Sequence, residues 1–419
     1  MGKYLKKFEN HSQYESYIAT DFVKPNVSIC VQEGDVHYNP FSYTDEYLTF
    51  VAKGSGTFTF MPQSSNVISY STDNGTTWTQ GNSVSINSGD KILWKGTMTP
   101  LEYGGIGRFT STGNFDVQGN AMSLLFGDNF KEQTDLTGKY FTFYNLFSGN
   151  TKVVNAENLS LPATTLASNC YNSMFKGCTN LTTAPELPAT TLEEYCYGCM
   201  FQNCTNLTAA PELPATTLAN YCYQNMFYNC TSLTTAPELP ATTLVKSCYN
   251  GMFYGCTNLV TAPELPATTL ASQCYYYMFQ GCTSLTTAPE LPAETLASSC
   301  YGVMFYGCTS LTTAPELPAT TLASNCYYSM FYGCTALTTA PELPAKTLNS
   351  GCYNNMFSGC TSLNYIKAMF TTAPSATYTA NWVSGVSASG TFVKNSAAQW
   401  NVSGINGIPN GWTVQTASE

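Results

Sequence analysis

Along half of this chain the apolar residues return at an interval that no single helix or strand produces. From Leu161 to Ala368 each block of 26 residues carries the same ordered set of Leu, Cys, Met and Phe. Cys170, Cys196, Cys222, Cys248, Cys274, Cys300, Cys326 and Cys352 are each 26 residues apart, and so are Cys178, Cys204, Cys230, Cys256, Cys282, Cys308, Cys334 and Cys360. One unit reads LPATTLASNCYNSMFKGCTNLTTAPE, from Leu161 to Glu186. A unit this small cannot bury its apolar residues alone, whereas stacked neighbours share one quasi-one-dimensional core. Eight such units, at about 4.8 Å per layer, predict a rod on the order of 40 Å long.

Each unit divides into two halves. Leu166, Cys170, Met174 and Phe175 fall at i, i+4, i+8 and i+9, the apolar stripe of a short helix, with Thr164 or Thr165 placed as its N-cap. The stripe ends at Gly177, Asn203, Asn229, Gly255, Gly281, Gly307, Gly333 or Gly359. Only Gly and Asn occur there, the residues that tolerate a left-handed backbone. The second half, Leu181 to Leu187, predicts a short extended segment in which Pro185, lacking an N–H, interrupts any ladder.

The segments FKGCTNL and FYGCTSL, each followed by a short extended stretch and a Leu-Pro step, resemble the BspA-like leucine-rich repeat family, whose units often carry Phe-x-Gly-Cys-x-x-Leu. The resemblance covers about half of the chain and implies an α/β solenoid associated with adhesion and surface binding. Family strands usually read Ile-x-Ile-Pro, so Pro185 and its counterparts are a departure. Outside the repeats, KYLKKFE, VHYNP and GIPNGWTV are similar to segments of leucine-rich repeat proteins from gut Bacteroidetes and their phages.

The flanks follow other patterns. Residues 1–40 predict a helix around Gln13 to Ala19 and an extended pair, Val27–Val31 and Val36–Tyr38, forming an attachment segment. Across 41–119 the apolar residues alternate (Leu48, Phe50, Ala52; Phe58, Phe60; Val67, Tyr70) between turn signals at Asp73-Asn74-Gly75 and Asn87-Ser88-Gly89. That pattern predicts a small β-sandwich with Trp78 and Trp94 in its core. Residues 120–160 read as a degenerate capping coil, in which Asn150 stands where a cysteine is due. The array of 161–368 gives way to a C-terminal cap over 369–419, carrying Trp382, Trp400 and Trp412.

Composition narrows the function. Only 10% of residues are charged and the net charge is −10, which argues against nucleic acid as a partner. No apolar run reaches the length of a membrane span. The basic start, MGKYLKK, is followed by polar residues, so synthesis in a reducing cytoplasm without general secretory export is expected. The cysteine columns then read as small buried apolar residues; disulfides within or between units and metal binding are the alternatives, although C-x7-C is not a zinc spacing. His11 and His37 lie outside the repeats. No nucleophile–base pair, phosphate loop or cofactor motif is visible; Gly54-Ser55-Gly56 reads as a turn, and no enzymatic activity or cofactor is expected.

Some columns vary while their neighbours hold still. They begin at Asn172, Ser173 and Lys176 and become rich in Tyr, Asn, Ser and Gly, the composition of adaptable binding surfaces. A ligand-binding face centred on Tyr254, Tyr276, Tyr277, Tyr306, Tyr328 and Tyr332 is expected, with relaxed constraint on a solvated surface as the alternative. A column of Glu at 186, 212, 238, 264, 290, 316 and 342 makes Glu212, Glu238 and Glu264 candidate cation ligands against a plain solvated stripe. The expected role is a phage tail or fibre protein of the virion. Its expected partners are a host cell-surface glycan or protein, other virion proteins bound through the N-terminal segment, and further copies of itself as a homo-oligomer. A bacterial cell-surface or extracellular adhesin is the alternative, and a ligand-free spacer is a third reading.

Overall fold

The computed structural model describes residues 43–63 and 66–417, and the backbone alone of 6–8, 29–33 and 36–37. Strand β1 (Lys6–Phe8) pairs in parallel with β2 (Ile29–Glu33), which pairs antiparallel with β3 (Val36–His37). The helix expected around Gln13 to Ala19, like His11, falls outside the described residues.

Residues 48–120 form eight strands, β4 (Leu48–Ala52), β5 (Gly56–Pro62), β6 (Ile68–Ser71), β7 (Thr79–Gln80), β8 (Ser83–Ile86), β9 (Lys91–Gly96), β10 (Gly107–Ser111) and β11 (Phe115–Asn120). One sheet runs β11-β4-β9-β6-β7 and the other β10-β5-β8. Alternation places Leu48, Phe50 and Ala52 of β4 and Phe58 and Phe60 of β5 in the core between them. There the Phe50 ring meets Phe58, Trp94, Phe109 and Phe115 at centroid distances of 4.6–6.2 Å. Two expectations shift. Ile68, not Val67, enters the core, because a one-residue change of register exchanges the two faces of a strand. Trp78 is half-buried near the surface, where the Lys95 ammonium lies 4.1 Å from its ring centre.

The repeats carry on from this sheet without a break. Strands β12 (Val153–Asn155) and β13 (Leu159–Ser160) pair in parallel with β11. Phe109 of β10 stacks on Phe147 at 5.7 Å, and Phe147 stacks on Phe175 at 5.2 Å. Asn150, in the place of a cysteine, donates from its amide to the Phe109 carbonyl at 3.2 Å. One continuous apolar cluster runs from Leu48 to Trp412.

The predicted helix is absent from the repeats. Its stretch is a run of overlapping tight turns that share their hydrogen bonds between the unit and its neighbour. In the first unit Cys170, Asn172, Met174, Lys176 and Cys178 donate to the carbonyl three residues back, at 3.0–3.2 Å. The intervening Asn169, Tyr171, Ser173, Phe175 and Gly177 donate to Glu194, Cys196, Gly198, Met200 and Gln202 of the next unit, at 2.7–3.0 Å. Every following junction repeats these five bonds, through to the junction that joins Gly351, Tyr353, Asn355, Phe357 and Gly359 to residues 377–384. Each four-residue step has a left-handed third residue, with φ of 60° at Asn169, 57° at Ser173 and 73° at Gly177, as in a type II turn. The apolar period is therefore four. In a helix a four-residue step rotates the stripe by about 40°, whereas these turns hold Cys170, Met174 and Cys178, with Tyr171 and Phe175, on one buried side.

The extended halves meet only at isolated parallel bridges, such as Thr183 with Ala209 and Thr191 with Thr217. Pro185 and Pro188 lack the N–H groups that would lengthen them. Repeat-to-repeat pairing thus resides mainly in the turns. Inside, Tyr171 to Tyr353 form one ladder of stacked rings 5.7–6.0 Å apart, and Phe175 to Phe357 a second at 5.6–5.8 Å.

After the eighth unit the stack continues in altered form. Strands β14 (Tyr365–Ala368), β15 (Thr391–Lys394) and β16 (Thr413–Thr416) make a parallel sheet. Trp382 occupies the methionine place of a ninth set of turns. The indole N–H groups of buried Trp382, Trp400 and Trp412 donate to Gly407, Phe370 and Ser387 carbonyls, so the cap closes the apolar end without orphan donors.

Candidate recognition surface

In the second and third turns of each unit the first and last side chains are buried, which leaves the second turned toward solvent and the third only partly so. The second positions form the columns that begin at Asn172 and Lys176. Ser173 heads a third-position column whose members are buried or half-buried. Tyr254, Tyr276, Tyr277, Tyr306, Tyr328 and Tyr332 all lie in these columns, and all six are half-buried. A half-buried tyrosine offers both an apolar ring and a polar hydroxyl to a ligand.

The stack brings some of them into contact. Tyr306 and Tyr332 lie parallel at 4.5 Å, as do Tyr228 and Tyr254 at 4.3 Å. Tyr276 meets Tyr277 at 4.0 Å, edge to face, and lies across Gly302 of the next unit, where a Cβ would sit 2.6 Å from its ring. Burial pushes the Tyr276 hydroxyl above its usual range, helped by a hydrogen bond with Tyr277, and does the same for Tyr306 beside Tyr332. These hydroxyls stay protonated donors across the physiological range.

The sequence expectation left out Tyr228 and a further pair, Tyr195 and Tyr221. The latter rings stack at 4.5 Å, with Lys246 5.4 Å from the Tyr221 ring centre. The available signal was a tyrosine at the same place in two successive units.

The other candidates lie apart from this face. Glu212, Glu238 and Glu264 are exposed, one to a unit, and the last of their column, Glu342, pairs with Lys367 at 3.0 Å. Among the described residues no group of three or more His, Cys, Asp or Glu is gathered as a metal would need. The sixteen column cysteines are free and buried, and Cys199 alone of the described thiols is half-exposed. Burial raises their pKa values, to about 12 at Cys170 and Cys308, so they are protonated and inert. No helix among the described residues is long and apolar enough to cross a membrane.

The family model described as the BspA type leucine rich repeat region matches residues 168–294 and 272–379, in six copies. The chain belongs to the BspA-type leucine-rich repeat family. No curated protein matches it. The chain is β-rich in its flanks and nearly free of helix, and its BspA-type array has neither helix nor extended ladder between β13 and β14, so the α component expected of its repeats is corrected to tight turns. Membership points to a surface or adhesin-type repeat protein, of a kind that is typically non-catalytic.

Proposed function

We propose that the repeats form a solenoid that displays the tyrosine-rich turn face toward a host cell surface, and that the chain is a tail or fibre component of a phage virion. The observation that carries the reading is the contrast between columns. The core rings keep one identity and one spacing through eight units, while the outward positions vary and collect tyrosines in stacked pairs. Five backbone bonds at each junction hold that face in register, so ligand binding orders little that is not ordered already.

In this reading residues 1–40 attach the protein to other virion proteins. Residues 41–119 and the capping coil of 120–160 carry the array of 161–368, which the cap of 369–419 closes. The protein binds a host glycan or protein, performs no chemistry and needs no cofactor; the virion placement draws on the likeness of the flanking segments to phage proteins. The family match favours a second reading, a bacterial cell-surface BspA-like adhesin. Purified virions separate the two, since the chain copurifies with particles only under the first. Replacing Tyr276, Tyr306 and Tyr332 by Ala abolishes host-cell binding in both, and full binding by that variant removes the face from the function.

A further inference from the structure

The third turn of successive units presents one outward residue, and from the second unit on this column reads Gln202, Tyr228, Tyr254, Gln280, Tyr306, Tyr332. The order Gln-Tyr-Tyr occurs twice, 78 residues apart, which is three units. Both tyrosine pairs are stacked, at 4.3 and 4.5 Å with ring planes within 7° of parallel. Both glutamines hold a side-chain oxygen that is buried and in no hydrogen bond. A buried acceptor without a donor is unfavourable in the free protein, and turning either half-buried glutamine outward onto a ligand hydroxyl relieves that cost.

Charge identifies the ligand class. From Gly198 to Ser358 the second-position columns of the second and third turns, and the third-position column between them, contain no Asp, Glu, Lys, Arg or His, while the first turn's second position carries Glu194 and Lys246. A charged polymer would find no counter-charge here, and burial of its own charge would go uncompensated. Stacked rings, amides, hydroxyls and glycines suit a polymer that is polar, uncharged and rich in hydroxyl groups. The rings of each pair lie face to face across the junction of two units, and a glutamine holds the same column place in the unit before each pair. A ligand in contact with both triads therefore lies lengthwise and spans roughly 15 Å between equivalent points.

We infer that Gln202–Tyr228–Tyr254 and Gln280–Tyr306–Tyr332 are two copies of one subsite for an uncharged polysaccharide lying along the array. The inference rests on the turn face being the binding face and adds the chemical class of the ligand and a repeated grip. Two linked subsites bind a polymer far more tightly than either alone, by about a hundredfold or more when geometry allows both to engage.

The test is affinity electrophoresis and calorimetry of the full chain with soluble uncharged glucans, mannans and xylans, with anionic alginate as comparison. The expected result is retardation by an uncharged polymer and not by alginate. The Y228A/Y254A and Y306A/Y332A variants each weaken binding by a similar factor of about ten or more, and the fourfold variant abolishes it. Gln280→Leu keeps the rings and the fold, as checked by melting temperature, and weakens binding to the same extent as loss of its pair. Absence of binding to every uncharged polymer overturns the inference, and so does a pair variant that binds like wild type. If uncharged polymers fail while the Tyr276/Tyr306/Tyr332 triple variant still abolishes cell binding, the face stands and the ligand class falls.

Discussion

The thiol of Cys204 donates to the carbonyl oxygen of Phe175, one unit back, at 3.1 Å. That oxygen also accepts the Cys178 N–H at 3.0 Å, so one acceptor ties a turn together and fastens the following unit to it. The contact recurs from Cys178 to Cys334 at 3.1 Å and at Cys360 at 2.9 Å. Cysteine fits this place because it is small, apolar and a weak donor. Replacing Cys204 by Ala removes the donor and leaves a small void, for a loss of about 1 kcal/mol measured by denaturant unfolding.

Buried protonated thiols react slowly. In the native protein at pH 8, iodoacetamide is expected to modify Cys199 and none of the sixteen column cysteines, which all react once the chain is unfolded. Mass spectrometry after a timed pulse checks this, and native labelling at Cys204 or Cys282 would contradict their burial.

The same burial predicts alkaline unfolding. Unfolded thiols ionise near their ordinary pKa of 9.0, whereas Cys170, Cys222 and Cys300 are held up to about 12 in the folded chain. Between those values the unfolded state has released protons that the folded state keeps, so stability falls as pH rises. It is fully present below pH 9. Each buried thiol removes roughly 1.4 kcal/mol per pH unit above that point, and the shared slope makes a cooperative loss of structure soon after pH 9 the expected outcome in a circular dichroism titration.

Val303 occupies a left-handed position, with φ of 58°, and is the one β-branched residue in a column that otherwise holds Ser173, Cys199, Asn225, Gly251, Tyr277, Ser329 and Asn355. A β-branched residue there is strained. Val303→Asn is expected to stabilise the chain by about 1 kcal/mol, read as a rise in melting temperature. A fall would mean that the packing of the valine outweighs its strain.

In the β6–β7 hairpin the Asp73 carboxylate accepts from the Thr77 N–H and hydroxyl and from the Ser71 hydroxyl. These bonds lower its pKa from 3.8 to about 2. A depressed carboxyl stabilises the fold above its unfolded pKa and loses that effect as pH falls toward the folded one. The hairpin is therefore expected to open between pH 4 and 2, with faster exchange of the Thr77 amide, and Asp73→Ala should show that exchange rate already at neutral pH.

The eight units, their core columns and the left-handed Gly/Asn position were legible in the sequence, because each constraint is written eight times and recurs at a fixed interval. The tyrosine columns were legible for the opposite reason, as places where the constraint lapses. What a single unit could not disclose was where half of the N–H groups in its turns go. Cys170, Met174 and Cys178 satisfy a helix and a run of turns almost equally well, and the choice falls to Tyr171, Ser173 and Phe175, whose donors find their acceptors in the next unit. Only the stack supplies those acceptors. It also decides that Tyr306 meets Tyr332 and that Tyr276 lies over Gly302, since a distance between residues one unit apart depends on the rise and register of the layers and on nothing local to either residue.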